Sequence, residues 1–253
     1  MIPDYFIFVP AYNVAATLVG VLGRIPLAVM ERAQVLVIDD GSKDDTRGAY
    51  ETFVGAAPNT KNAAHLEYMR FEFNRGYGAV VKCGISEGLR SGAKYIACLH
   101  GDGQYPAEQL GEFFAHLETA DISSAGNSPA IALVQGSRRL VPGAARAGNM
   151  PLHKRIGGAF LTALENIAFR QKLTDRHSGF IVYNAEFLKT LDLAKLSPSF
   201  DIDLEIISIA DARGWRLAEL PIPTRYAGEK SNLNVVTYGL RVLRQIARRI
   251  CMR

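Results

Sequence analysis

Seven short runs of β-branched and aromatic residues, separated by longer stretches with helical spacing, restrict this chain to a layered α/β architecture. The runs are residues 5–9, 35–38, 66–71, 95–99, 131–134, 180–183 and 216–220, and each reads as a buried strand. Helical spacing falls on residues 15–22, 44–54, 78–89 and 106–117 in the first half, and on 155–169 and 202–213 in the second. Strand and helix thus alternate in the first half, as in a doubly wound parallel sheet, whose ligands bind beyond the carboxyl ends of the strands. Residues 123–129 and 142–150 read as loops, and no linker or internal repeat divides the chain. With 253 residues, 48% of them hydrophobic and 21% charged, the chain can bury the core of one large domain.

The net charge of +4 favours an anionic partner without choosing among nucleic acid, a membrane surface and a phosphorylated substrate. Cys83, Cys98 and Cys251 are odd in number and form no CxxC pair, so neither a disulfide framework nor a zinc knuckle is indicated, and a reducing compartment fits. No window approaches ~18 uninterrupted apolar residues, and no signal-like segment opens the chain. A soluble or peripheral protein is expected.

Polar clusters sit at the ends of the predicted strands. Pro10-Ala11-Tyr12-Asn13 closes the first, and Asp39-Asp40-Gly41-Ser42-Lys43-Asp44-Asp45-Thr46 closes the second. Carboxylates there can accept hydrogen bonds from a base or a ribose, and Tyr12 offers a ring face and a hydroxyl; equally, Asp44 can cap a helix and the Asp-Asp-Gly-Ser run can be an ordinary turn. Asn74-Arg75-Gly76-Tyr77-Gly78 follows a strand and opens a helix, so its amides can approach a phosphate. A dinucleotide-binding fingerprint is the rival there, but the glycines follow the third strand and no third glycine occupies position 81. His100-Gly101-Asp102-Gly103-Gln104 follows the fourth strand, and Asp102 and Gln104 can aim oxygens at one hard cation, or Asp102 can simply cap the loop.

These motifs, in this order, resemble those of inverting family-2 glycosyltransferases, most closely the dolichol-phosphate mannose synthase and polyprenyl-phosphate glycosyltransferase branch. The resemblance continues through Gly136-Ser137-Arg138, Leu173-Thr174-Asp175, Ser178-Gly179-Phe180 and Arg225 to Gly228-Glu229-Lys230-Ser231, nearly the whole chain. It implies a GT-A (Rossmann-like) α/β fold: a doubly wound, mostly parallel sheet with helices on both faces, in a single domain. Residues 1–237 would form that domain, with 1–122 the nucleotide-binding half and 131–237 the acceptor-binding half, and 238–253 a basic amphipathic helix.

The resemblance also assigns roles. Pro10, Tyr12, Asn13, Asp39, Asp40, Ser42 and Gly78 would bind the nucleotide; Asp102 and Gln104 would ligate Mg²⁺ or Mn²⁺; Asp102, Asp175 and Arg138 would be catalytic; and Arg138, Arg225, Lys230 and Ser231 would face donor or acceptor phosphates. Two positions depart from the family pattern: His100 stands where an Asp is usual, and Val14 where an acidic residue is frequent. The expected reaction transfers a hexose from a GDP- or UDP-linked sugar to a polyprenyl or dolichyl phosphate. The expected partners are that nucleotide-diphosphate sugar, the lipid phosphate and an anionic membrane surface met by the C-terminal helix, with no nucleic acid; the expected place is the cytoplasm, peripheral at the cytoplasmic face of a membrane. The alternatives are a catalytically silent nucleotide-sugar binder, motivated by His100, and a sugar nucleotidyltransferase, which lacks support because no Gly-Gly-x-Gly-Thr-Arg loop follows the first strand.

Overall fold

The computed structural model describes residues 2–56, 65–123, 130–148, 150–169, 172–223 and 242. All seven expected strands form: β1 (Tyr5–Ala11), β2 (Ala33–Asp39), β3 (Leu66–Arg70), β4 (Tyr95–Cys98), β5 (Ile131–Ser137), β6 (Ile181–Asn184) and β7 (Arg216–Pro221). They build one sheet in the order β3-β2-β1-β4-β6-β5-β7. Every pairing is parallel except those of β6, which runs against both β4 and β5.

The helices are α1 (Leu18–Gly23), α2 (Leu27–Met30), α3 (Thr46–Ala56), α4 (Tyr77–Ser91), α5 (Leu110–Ser123), α6 (Ala144–Ala147), α7 (Leu152–Phe169), α8 (Ala185–Leu188) and α9 (Ile202–Ala212). The one-turn helices α2 and α8 were not expected, and α6 lies inside the stretch read as a loop over 142–150. A single turn is too short to show a 3.6-residue period, so pattern cannot reveal it.

Side-chain alternation along the central strands explains the two-layered core. Tyr5, Ile7, Val9, Val35 and Val37 join α1, α2 and α5 on one face, while Phe6, Phe8, Leu36 and Ile38 join α4, α8 and α9 on the other. Strands buried on both faces read as continuous apolar runs, which is why β1 and β2 were legible. Both edge strands, β3 and β7, are more exposed.

The parallel register brings the carboxyl ends of β1, β2 and β4 to one edge: Ala11 pairs with Asp39, and Phe8 with Cys98. From β1 the chain winds outward to β2 and β3, then returns to the other side of β1 at β4, so the crevice between β1 and β4 is the topological switch point. Because β6 is antiparallel, its amino end reaches that same edge.

Candidate active site

Loops from six strands converge on this edge, and the first two are laced together. The Asn13 amide donates to Ser42 Oγ (2.9 Å), and the Lys43 amide to Asn13 Oδ1 (2.8 Å). The Val14 amide donates to Thr46 Oγ1 (3.0 Å) and the Ala15 amide to Asp44 Oδ2 (2.9 Å). Asn13 takes a left-handed φ of 56°, which an Asn tolerates better than most residues. Burial alone would raise the Asp44 pKa, but hydrogen bonds from Thr46 and the Ala15 amide lower it, so it stays ionised.

Asp39 and Asp40 face different tasks. Asp39 is fully buried and accepts from the Ser42 amide (2.7 Å) and the Tyr68 hydroxyl (2.5 Å). Asp40 accepts from the amides of Arg75 (2.6 Å) and Gly76 (3.0 Å), which ties the loop before α4 to the end of β2; burial raises its pKa. Gly41 sits between these loops at φ 72°, and a Cβ there would come within 2.8 Å of the Asn74 nitrogen. Gly78 lies in the first turn of α4, where a Cβ would overlap the backbone carbonyl carbon of Pro198; its bareness admits the 197–199 loop. Pro10 and Tyr12 are half-buried at the mouth, with the Gly101 amide donating to the Pro10 carbonyl (3.0 Å).

At the switch point, Asp102 accepts the Gln104 amide on Oδ1 (3.0 Å), and its other oxygen makes no hydrogen bond among the described residues. Among those residues no three His, Cys, Asp or Glu side chains cluster as a metal cage. The half-exposed Asp102 carboxylate, with one oxygen free of hydrogen bonds among the described residues and Gln104 two residues on in the same loop, fits a hard cation that completes its shell with phosphate oxygens and water.

Both departures from the family pattern have physical accounts. Val14 is buried in the apolar layer, and its backbone amide is the atom the site uses, through Thr46. His100 packs between Tyr77 and Tyr105, with ring centroids 5.4 and 5.0 Å away, and its Nε2 lies 3.2 Å from the Tyr77 hydroxyl. That hydroxyl also donates to Asp203 Oδ2 (2.8 Å), and the Tyr183 hydroxyl donates to Asp203 Oδ1 (3.3 Å). Burial lowers the His100 pKa and raises that of Asp203 to about 7. A neutral ring at position 100 thus avoids a further buried carboxylate between Asp102 and Asp203. Tyr77 and Asp203 escaped sequence reasoning: Tyr77 was noted only as a neighbour of glycines, and Asp203 was hidden in an apolar helix.

Across the crevice, Arg138 grips Asp175 as a fork, Nε to Oδ2 at 2.6 Å and Nη2 to Oδ1 at 3.0 Å, and donates to the His177 carbonyl (3.1 Å). Burial would raise the Asp175 pKa, but Arg138 holds it below its ordinary value. The segment is pinned by Glu219, which accepts from the amides of Thr174 (2.7 Å) and Asp175 (2.9 Å), and by the 2.5 Å contact between the Ser137 and Thr174 hydroxyls. Behind it, Glu165 of α7 is fully buried, with His177 Nε2 3.4 Å away; burial raises the Glu165 pKa to about 8 and lowers that of His177 to about 4. Arg225, Lys230 and Ser231 lie outside the described residues, as does the 238–253 segment apart from Val242, which is buried with Ala168 and Leu204.

The profile of glycosyl transferase family 2 matches residues 6–192, from β1 past α8. The chain belongs to glycosyl transferase family 2. It is a glycosyltransferase. Its relatives include a dolichyl-phosphate beta-glucosyltransferase of Trichomonas vaginalis, 28% identical over 87% of this chain and 64% of the relative's length. A polyprenol monophosphomannose synthase of Mycolicibacterium smegmatis is 26% identical over 85% of this chain and 75% of that one. Glucosyl-3-phosphoglycerate synthase of Mycobacterium tuberculosis, solved with Mn²⁺, UDP and glucosyl-3-phosphoglycerate, superposes with a TM-score of 0.64 at 14% identity, covering 98% of this family-2 chain and 80% of that structure. That likeness establishes the GT-A-like fold.

Proposed function

We propose that this glycosyltransferase moves a hexose from a GDP- or UDP-linked sugar to a polyprenyl or dolichyl phosphate, inverting the anomeric carbon, with a divalent cation at Asp102. The observation that carries the reading is the free Asp102 carboxylate oxygen at the switch point, opposite the Arg138–Asp175 pair and beside the laced β1 and β2 loops. The dolichyl- and polyprenyl-phosphate relatives support the acceptor class, and the structural neighbours solved with Mn²⁺ or Mg²⁺ support the cation.

In this reading Pro10, Tyr12, Asn13, Asp39, Asp40 and Ser42 form the nucleotide end, with Gly78 giving α4 its close seat below them. Asp102 and Gln104 would hold Mg²⁺ or Mn²⁺, which when bound would neutralise charge on the departing nucleoside diphosphate. An acceptor phosphate monoester is largely doubly ionised at neutral pH, its second pKa being about 6, so the nucleophile requires no general base. An acceptor oxygen attacks the anomeric carbon as the bond to the donor's phosphate breaks, and the nucleoside diphosphate leaves. Asp175, held ionised by Arg138, is a weak base; its part is to aim the guanidinium at phosphate. Arg225, Lys230 and Ser231 would add further phosphate contacts.

Calorimetric titration of UDP and GDP with and without Mn²⁺, followed by transfer of labelled sugar to a short-chain prenyl phosphate, tests the reading. Asp102→Asn is expected to abolish the metal-dependent part of nucleotide affinity and to lower turnover by about 100-fold or more. Unchanged turnover in that variant would remove the cation from Asp102. Tight nucleotide-sugar binding with no transfer by the wild type would instead favour the silent binder, the alternative raised by His100.

A further inference from the structure

A chain of hydrogen bonds runs from an acidic side chain of α9 to the loop that carries Asp102. Asp203 is buried on α9 and accepts the Tyr77 hydroxyl on Oδ2 (2.8 Å) and the Tyr183 hydroxyl on Oδ1 (3.3 Å). The Tyr77 hydroxyl has one proton to give, and Asp203 takes it. Toward His100 Nε2, 3.2 Å away, the same oxygen therefore acts as an acceptor. The ring proton of His100 accordingly sits on Nε2, and the ring's lone pair on Nδ1.

The surroundings hold the ring in that setting. Turning it over would put Cε1 in place of Nε2 against the Tyr77 hydroxyl and forfeit the hydrogen bond. A Cβ at Gly179 would stand 2.7 Å from Nε2 and 3.0 Å from Cε1, so this edge of the imidazole is pressed against backbone. Tyr105 meets the ring edge-on with centroids 5.0 Å apart, and its own hydroxyl accepts the Gly179 amide (2.9 Å). Tyr77 is backed in turn by Phe200, stacked at 5.3 Å. Nδ1 is the atom left over: it makes no hydrogen bond among the described residues, and the half-buried ring does not enclose it. The carboxylate whose charge bears on the ring is Asp102, two residues on.

We infer that His100 is a third ligand, through Nδ1, for the cation assigned above to Asp102 and Gln104, with Tyr77 and Asp203 as positioning residues that fix its tautomer. The inference rests on that reading of the site and adds a preference to it. Mg²⁺ takes oxygen ligands and gives up water reluctantly, whereas imidazole suits first-row transition ions. This chain is thereby tuned to a transition ion such as Mn²⁺ over Mg²⁺, where an Asp at position 100 would supply a further anionic oxygen. A ligating imidazole whose other nitrogen donates to a fixed partner is held in orientation by that partner, which here is the Tyr77 hydroxyl.

The test is pulsed electron paramagnetic resonance of Mn²⁺ on the full chain with UDP or GDP, using protein with ordinary or nitrogen-15 histidine, beside calorimetry of Mn²⁺ and Mg²⁺. Neither measurement depends on sugar transfer. The wild-type Mn²⁺ signal is expected to carry a histidine-nitrogen coupling that changes with the isotope and is lost in His100→Asp and His100→Asn, each checked for folding by its thermal melt. The ratio of Mn²⁺ to Mg²⁺ affinity is expected to fall by about tenfold or more in His100→Asp. Tyr77→Phe removes the acceptor that fixes the tautomer, and is expected to weaken Mn²⁺ binding by about tenfold or more and to alter the coupling. Bound Mn²⁺ without a histidine nitrogen, a coupling that survives in His100→Asn, an affinity ratio unchanged in His100→Asp, or a Tyr77→Phe variant that matches the wild type overturns the assignment and leaves the cation at Asp102. Mn²⁺ that the wild type does not bind, or that Asp102→Asn binds equally well, removes the cation from Asp102 and this inference with it.

Discussion

Arg138 and Asp175 stand or fall together. Asp175 is fully buried, so Arg138→Ala leaves a carboxylate without its counter-ion, a change that typically costs about 3–5 kcal/mol. Thermal unfolding is expected to show this as a fall in Tm of about 10 °C. Arg138→Lys keeps the charge but loses the two-pronged contact, so partial recovery of Tm and weak recovery of turnover are expected. The depressed Asp175 pKa means that its stabilisation is present above pH 3.8, its ordinary value, and is lost as the pH falls further. Glu165 behaves oppositely. Its folded pKa near 8 lies above its ordinary 4.5, so the native state keeps a proton that the unfolded chain releases, and stability drains away as the pH rises between them. His177 works against this trend between about 4 and 6.5, and Asp203, raised to about 7, adds to it below that pH; both are shared by wild type and variant, so their comparison isolates Glu165. Glu165→Gln is therefore expected to gain about 2 kcal/mol on the wild type between pH 6.5 and 8 in chemical denaturation, and equal slopes would show that Glu165 ionises freely.

At the scale of elements, the least forgiving contact is where α4 meets the 197–199 loop. Gly78→Ala forces a methyl group into the Pro198 backbone, and Gly41→Ala adds a strained φ to a 2.8 Å approach, so each is expected to lose about 1–3 kcal/mol and to weaken nucleotide binding measured by calorimetry. The sequence announced the glycines but not their neighbours. In the same way, α7 was legible as a helix because its apolar residues recur at helical spacing, yet that spacing is identical whether the stripe faces the core or the solvent. The burial of Thr162, Glu165 and Ala168 in the structure tells which side is inward. Asp203 was illegible for a related reason: its meaning depends on Tyr77 and Tyr183, each distant in the chain and brought to it by the sheet.

For the whole molecule, the apolar runs foretold seven strands and the polar strand ends foretold which edge carries the chemistry, because burial and exposure are written locally. Strand direction is not, and β6 is the case in point. With β5 it forms a hairpin whose arms are adjacent, the Gly136 amide donating to the Phe180 carbonyl at 2.8 Å. Its connection leaves and re-enters the sheet at the active edge, sealed at its neck by Ser137, Thr174 and Glu219. Residues 138–173 are therefore a replaceable cassette: a graft that respects the neck changes what the enzyme is offered without asking any strand to find a new neighbour. Exchanging this stretch with that of a relative using another acceptor is expected to leave nucleotide affinity within about threefold of the parent's while acceptor preference follows the graft, as distant independent sites do. A chimera that lost nucleotide binding would mean that the two halves of the crevice cannot be inherited separately.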